Sequence, residues 1–217
     1  MTTMTRTRAT VVGASTAVVV AVAVAASAIG QSAEPTAGSA KNPKPRAETL
    51  DARLVESFGV FRRSKTPADK IPTDKSAGPL DRNHGINPEF SRRAQVGAES
   101  VYVTAGNGDV CLRSRVGGDL CTTVPTAVGG EMLSVGICGA GIPAGRISVT
   151  GLVPDEATDV RFDDGSKAPV ADNVLVAMVD KNAPPNALSF RRADGSQASI
   201  PLGIPPDAAK AACSPGG

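Results

Sequence analysis

The sequence has no tryptophan, one tyrosine, five phenylalanines and a single histidine. So few aromatic rings leave a core to be built from Val, Ile, Leu and Ala. They also leave too few rings to wall the sugar-binding cleft that paired-carboxylate glycoside hydrolysis uses. His84, the one histidine, lies in a polar loop, Asp81-Arg82-Asn83-His84-Gly85. No Gly-x-Ser-x-Gly turn is present to supply a nucleophile for it. The glycine-rich stretch Gly139–Gly145 lacks the lysine of a phosphate-cradling loop, and Pro143 removes an N–H where one would be needed. No Cys-x-x-Cys pair occurs, so the cysteine spacing fits no structural zinc site. A run of basic residues is missing too. The net charge is +2, with twelve Lys/Arg against eight Asp/Glu over residues 41–100 and nine against twelve over 101–217. That weakly acidic second half carries no footprint for nucleic acid.

What is present begins at the N-terminus. Arg6 and Arg8 precede Val11–Gly30, twenty residues without a charge. A basic flank followed by an apolar run reads as a secretory signal or an N-terminal membrane anchor over residues 1–30. The length suits an anchor, while the small residues Ala26-Ser27-Ala28 suit cleavage, and both readings stay open. Either one exports the rest of the chain. The even count of four cysteines agrees with an oxidising compartment. The expected localisation is extracytoplasmic, either anchored or secreted.

Val101–Cys121 is the stretch with the clearest local structure. Asn107-Gly108-Asp109 and Gly117-Gly118-Asp119 are turn signals. They cut the stretch into a meander, Val101–Ala105, Val110–Arg115 and Leu120–Val124. Cys111 and Cys121 then fall on neighbouring strands. Of the three pairings open to four cysteines, this favours Cys111–Cys121 and leaves Cys138–Cys213 to hold the C-terminal tail. In the chain-entropy view the first closure contributes about 3 kcal/mol and the longer about 4–5.

Further strands are expected at Glu131–Cys138, Arg146–Val153, Ala157–Phe162, Ala168–Val179, Ala187–Arg192 and Gln197–Leu202. Val174–Val179 is apolar on both faces, which marks a central strand. About eight strands without a long helix between them predict a mainly β protein: a small antiparallel β-sandwich or barrel-like domain over residues 100–204. Residues 31–46 read as a disordered tether and 205–217 as a C-terminal tail. Residues 47–99 read as a stalk of short helices and loops. Within it, Leu50, Leu54, Phe58 and Phe61 line one face of an expected helix over Glu48–Arg63, with Arg53, Arg62, Arg63 and Lys65 at its C-terminal half. That face, with Arg62 and Arg63, either meets a membrane or partner or packs on the β domain. Thr66–Asp69 reads as a helix start, and Asn87-Pro88-Glu89 as the cap of a short helix to Gln95, stopped by Gly97.

Three segments resemble uncharacterised exported proteins of high-GC actinobacteria: RLVESFGVFRRSKTPADKIP (53–72), VYVTAGNGDVCL (101–112) and GLVPDEATDVRFDDGSKAPVADNVLVAMV (151–179). The resemblance implies an extracytoplasmic location and brings no activity, cofactor or site residue with it.

The expected function is therefore a non-enzymatic interaction or structural domain at the cell envelope. Its partner would be an envelope protein or a cell-wall component, with the membrane reached through the N-terminal segment. No catalytic residue, cofactor or metal is expected. The carboxylates of Asp155, Glu156, Asp159, Asp163 and Asp164 suit turns and match no calcium loop. The alternatives are an envelope hydrolase using His84 with Asp81 or Asp172, or a membrane-surface module using the basic helix.

Overall fold

Turn residues at short intervals cut the second half of the chain into short strands, and a computed structural model arranges these in three antiparallel sheets. It describes residues 46–72 and 79–204. The expected signal or anchor, the tether and the C-terminal tail lie outside the described residues. Among the described residues no helix is long and apolar enough to cross a membrane.

The first sheet is a meander in chain order: β1 (Asn87–Val96), β2 (Glu99–Ala105), β3 (Asp109–Ser114) and β4 (Gly118–Thr123). The Asn-Gly-Asp and Gly-Gly-Asp signals fall in its turns. β1 corrects the helix expected from Asn87 to Gln95. The local cap is real, since the Glu89 N–H donates to Asn87 Oδ1 at 3.0 Å. It is overridden because Ala94 and Val96 alternate into the core opposite β2, whose Val101 and Val103 are fully buried. Pro88 is tolerated because β1 is the edge strand and its ladder is irregular between Asn87 and Arg92. Gly97, at φ +58°, turns a hairpin and does not end a helix.

The second sheet has the order β5 (Met132–Gly136), β6 (Arg146–Leu152), β9 (Val174–Asp180), β8 (Val170–Ala171). The third is β11 (Gln197–Pro201), β10 (Ala187–Arg191), β7 (Thr158–Phe162). The expected single strand Ala168–Val179 is thus a hairpin. Asp172 and Asn173 take positive φ of 46° and 66° and turn β8 into β9. Asp and Asn are the non-glycine residues that accept such a turn most readily.

Apolar residues on both faces of β9 explain how the sheets stack. Val174 and Val176 enter a core shared with the first sheet, while Leu175 and Ala177 enter a core shared with Phe162 and Leu188 of the third. The second sheet is covered on both sides, as its unbroken apolar run requires.

Polar positions in β5 and β6 have a related cause. Ser148 is fully buried, and its Oγ donates to Val116 O at 2.5 Å, while Ser134 Oγ donates to Gly117 O at 3.1 Å. The β3–β4 turn presses its backbone onto the second sheet there. A Cβ on Gly117 would fall 2.5 Å from Thr150 Oγ1, so only glycine permits this approach.

A short helix, α4 in chain order (Val124–Val128), carries the chain from the first sheet to the second and buries Val124 and Ala127. The segment before the β-region contains α1 (Ala52–Ser57), α2 (Gly59–Arg62), a 3-10 turn (Pro67–Asp69) and α3 (Pro79–His84). One helix over Glu48–Arg63 was the expectation, but Phe58 is extended (φ −133°, ψ 111°) and splits it. The Gly59 and Val60 N–H groups donate to Asp155 Oδ1 (3.0 Å) and Asn173 Oδ1 (2.9 Å) and so begin a new helix. Nor is the segment a stalk with a boundary at residue 99, because β1 belongs to the first sheet and all described residues fall in one compact unit.

Candidate functional site

Among the described residues, those that bear charge or chemistry include two polar clasps, a histidine–carboxylate pair and the lining of two surface grooves. The first clasp is built on Asp69, fully buried behind the 3-10 turn. Thr66 donates its N–H (2.6 Å) and hydroxyl (2.9 Å) to Asp69 Oδ2. Arg63 donates Nη1 to Oδ2 (2.9 Å) and Nη2 to Oδ1 (2.6 Å), and the Arg93 N–H of β1 donates to Oδ1 at 2.6 Å. Burial pushes the Asp69 carboxyl up, but Arg63 and then the Arg93 and Thr66 donors outweigh it and hold the group well below the usual carboxylate range. Arg63 also donates to Arg93 O at 2.6 Å, which ties the segment after α2 to the edge strand.

The second clasp joins α2 to the β8–β9 turn. Asp155 Oδ1 accepts from the Gly59 N–H and from Asn173 Nδ2 (2.7 Å), and Oδ2 accepts from Arg62. Asn173 Nδ2 also donates to Val153 O at 3.0 Å. Burial raises the Asp155 carboxyl, while Asn173, Gly59 and Arg62 lower it with the larger combined effect.

These clasps determine what the expected membrane or partner face does. Leu54, Phe58 and Phe61 are buried in the core between the first and second sheets, and Leu50 packs against it partly covered. The apolar face is occupied by the protein's own interior. Its cations are engaged as well: Arg53 with Asp51, Arg62 with Asp155, Arg63 with Asp69 and Lys65 with Glu89.

His84, at the end of α3, places Nδ1 3.0 Å from Asp109 Oδ2 at the start of β3. The partner is Asp109, which in the sequence reads as a turn residue 25 positions away, and not Asp172, which turns the β8–β9 hairpin. A carboxylate on Nδ1 fixes the ring and leaves Nε2 as the working nitrogen, so the pair is the orienting half of a general-base arrangement. Only the fold could reveal it.

The acid-rich stretch is dispersed. Asp155 serves the second clasp, Asp159 pairs with Arg161, Asp163 accepts from Asn186 and Asp164 from Ser166. Among the described residues no three His, Cys, Asp or Glu side chains come together to hold a metal.

Cys111 and Cys121 sit opposite each other on β3 and β4 and are disulfide-bonded, with Cα atoms 4.1 Å apart. Cys138, in the exposed loop after β5, is disulfide-bonded too. Cys213, the partner expected for it, lies outside the described residues. One groove of about 560 Å³ runs between the 3-10 turn and the start of β1, with Pro67, Ile71 and Pro88 along it and Lys65, Lys70 and Glu89 at its rim. Another of about 410 Å³ lies between β9 and the turn after β7, among Arg146, Asp164, Lys167, Met178 and Asp180.

Neither family models, curated proteins nor solved structures contain a match to the chain.

Proposed function

We propose that the protein is an exported, disulfide-stapled β domain that acts by interaction or as a structural element at the cell envelope, without catalysing a reaction. In this reading its sheets make an antiparallel sandwich, its N-terminal segment is a signal or anchor, and its partner is an envelope protein or cell-wall component. Kinship with the exported actinobacterial proteins it resembles belongs to the same proposal. The observation that carries it is the state of the cysteines. Cys111, Cys121 and Cys138 are all disulfide-bonded, which suits an oxidising compartment. The internal pairing of Arg53, Arg62, Arg63 and Lys65 draws support away from a membrane-binding role for that segment.

Fractionation of native cells with in vivo crosslinking tests the proposal. It is expected to find the chain outside the cytoplasm, joined to an envelope component, with no free thiol in unreduced material. Four free thiols in cytoplasmic fractions would overturn it. The contact between His84 and Asp109 favours one second reading, an envelope hydrolase with His84 as general base. Under that reading His84→Ala abolishes a wall- or ester-cleaving activity while the unfolding midpoint stays within a few degrees.

A further inference from the structure

Cys111 lies on β3 with Thr104 of β2 directly opposite on one side and Cys121 of β4 on the other. Opposed residues of an antiparallel ladder share a face, with Cβ atoms about 4.5–5.5 Å apart. Thr104 is fully buried, and its Oγ1 has no hydrogen-bond partner among the described residues. A buried hydroxyl left in that state is destabilising and calls for a reason. The two positions that flank Cys111 on the same face of β3 are Asp109 and Arg113, both buried. His84 Nδ1 lies 3.0 Å from Asp109 Oδ2, and Arg113 Nε lies 3.8 Å from Asp119 Oδ2.

The two sulfur-bearing residues differ in access. Cys111 is fully buried, whereas Cys121 is half-buried on β4, an edge strand of the first sheet. No residue of β4 is fully buried, and Leu120 packs on the core only partly covered. The strand is anchored just beyond each end. Ser134 Oγ donates to Gly117 O at 3.1 Å, and the buried Val124 donates its N–H to Gly108 O at 3.0 Å. Between these points β4 is held by its ladder to β3 and by the bridge.

We infer that Cys111–Cys121 is a redox-active bridge that exchanges with thiols: Cys121 takes the incoming thiolate, the Thr104 hydroxyl stabilises the departing Cys111 thiolate, and β4 is released. The attack forms a mixed disulfide at Cys121 and breaks the protein's own S–S bond, so that Cys111 leaves as a thiolate. A second thiol resolves the mixed disulfide. Two thiols are thereby oxidised to one disulfide, and their two protons end on Cys111 and Cys121. A hydroxyl that donates to a thiolate favours the charged form, and a nearby guanidinium does the same. The buried Thr104 hydroxyl thus gains its acceptor when the bridge opens. Release of β4 frees the edge of β3 to pair with another extended chain. The inference goes beyond the proposed envelope role, and its test needs neither the partner nor the compartment of that role.

The test uses the full oxidised chain with glutathione as the thiol. Peptide mapping after rapid acid quench follows each cysteine separately, so opening of the bond at Cys138 does not enter the readout. A mixed glutathione disulfide is expected on Cys121, with Cys111 as the free thiol. Thr104→Val keeps the side-chain shape without the hydroxyl, and should slow opening of Cys111–Cys121 by about tenfold. Thr104→Ser should restore the parent rate. Hydrogen exchange should quicken by about tenfold or more in Leu120–Thr122 once the bridge is open, with β1 and β2 unchanged. A mixed disulfide on Cys111, equal opening rates in the parent and Thr104→Val, or unchanged exchange in β4 overturns the inference. If Thr104→Val does not fold, the site of attack and the exchange of β4 in the unaltered chain decide it.

Discussion

The cores on the two faces of the central sheet are closed by different means. The one toward the first sheet is sealed by side chains from far along the chain: Leu54, Phe58 and Phe61 from the N-terminal helices and Val124 and Ala127 from α4. Two buried or half-buried carboxylates, Asp69 and Asp155, bolt that seal to β1 and to the β8–β9 turn. The core toward the third sheet has no such seal. It is smaller, with eight buried residues against eighteen, and a larger share of the side chains around it, among them Leu133, Val135, Val160, Val179 and Ile204, are only half-buried. The comparison teaches that the stretch before β1 is interior to the fold, and that the smaller core has the larger share of half-buried residues.

Substitutions can break this contrast. Phe58→Ala removes a fully buried ring from the sealed core and is expected to cost about 3–5 kcal/mol in urea unfolding. Asp69→Ala leaves Arg63 and the Thr66 and Arg93 donors without their acceptor, for about 3 kcal/mol. Leu188→Ala in the other core is expected to cost about 2–3 kcal/mol, because the half-buried side chains around it let the cavity relax. Asp155→Asn, nearer the surface, should cost about 1 kcal/mol. A Leu188→Ala penalty larger than that of Phe58→Ala would reverse the order of the two cores.

Acid should act on the same side. Asp69 and Asp155 have folded-state pKa values below their unfolded ones. Their contribution is therefore full above the unfolded carboxyl value of about 3.9 and is lost as pH falls toward the folded values. Thermal unfolding should show a midpoint that drops below about pH 4, and a shallower drop in Asp69→Asn and Asp155→Asn. Equal slopes in the variants and the parent would remove these clasps from the account.

The strands from Val101 onward were legible because turn chemistry and alternation are local. Asn-Gly-Asp, Gly-Gly-Asp and Asp-Gly mark hairpins in the structure, and the bonded pair Cys111–Cys121 follows from the strand spacing alone. Residues 47–99 were not. The Asn87 cap signalled a helix, and nothing nearby showed that Val101 and Val103 would pair with that stretch as a strand. The break at Phe58 depends on Asp155 and Asn173, about a hundred positions away. The β8–β9 turn at Asp172-Asn173 was missed because it lacks glycine. Of the candidate chemistry, His84 was visible as the lone histidine, but its carboxylate was not, since the pair forms only when α3 lies against the start of β3. Leu54, Phe58 and Phe61 all enter one core, although the single helix expected to carry them is split at Phe58. Which surface they cover was a tertiary matter.

The most direct test of this arrangement is native-state hydrogen exchange on the full chain at the amides of Phe58, Val60 and Phe61. Their N–H groups are bonded to Leu54 O, Asn173 Oδ1 and Phe58 O. If the N-terminal segment is part of the sealed core, their opening free energies will lie within about 1 kcal/mol of those in β2 and β3. Exchange at the rate of an unstructured peptide, with β2 and β3 still protected, would contradict it.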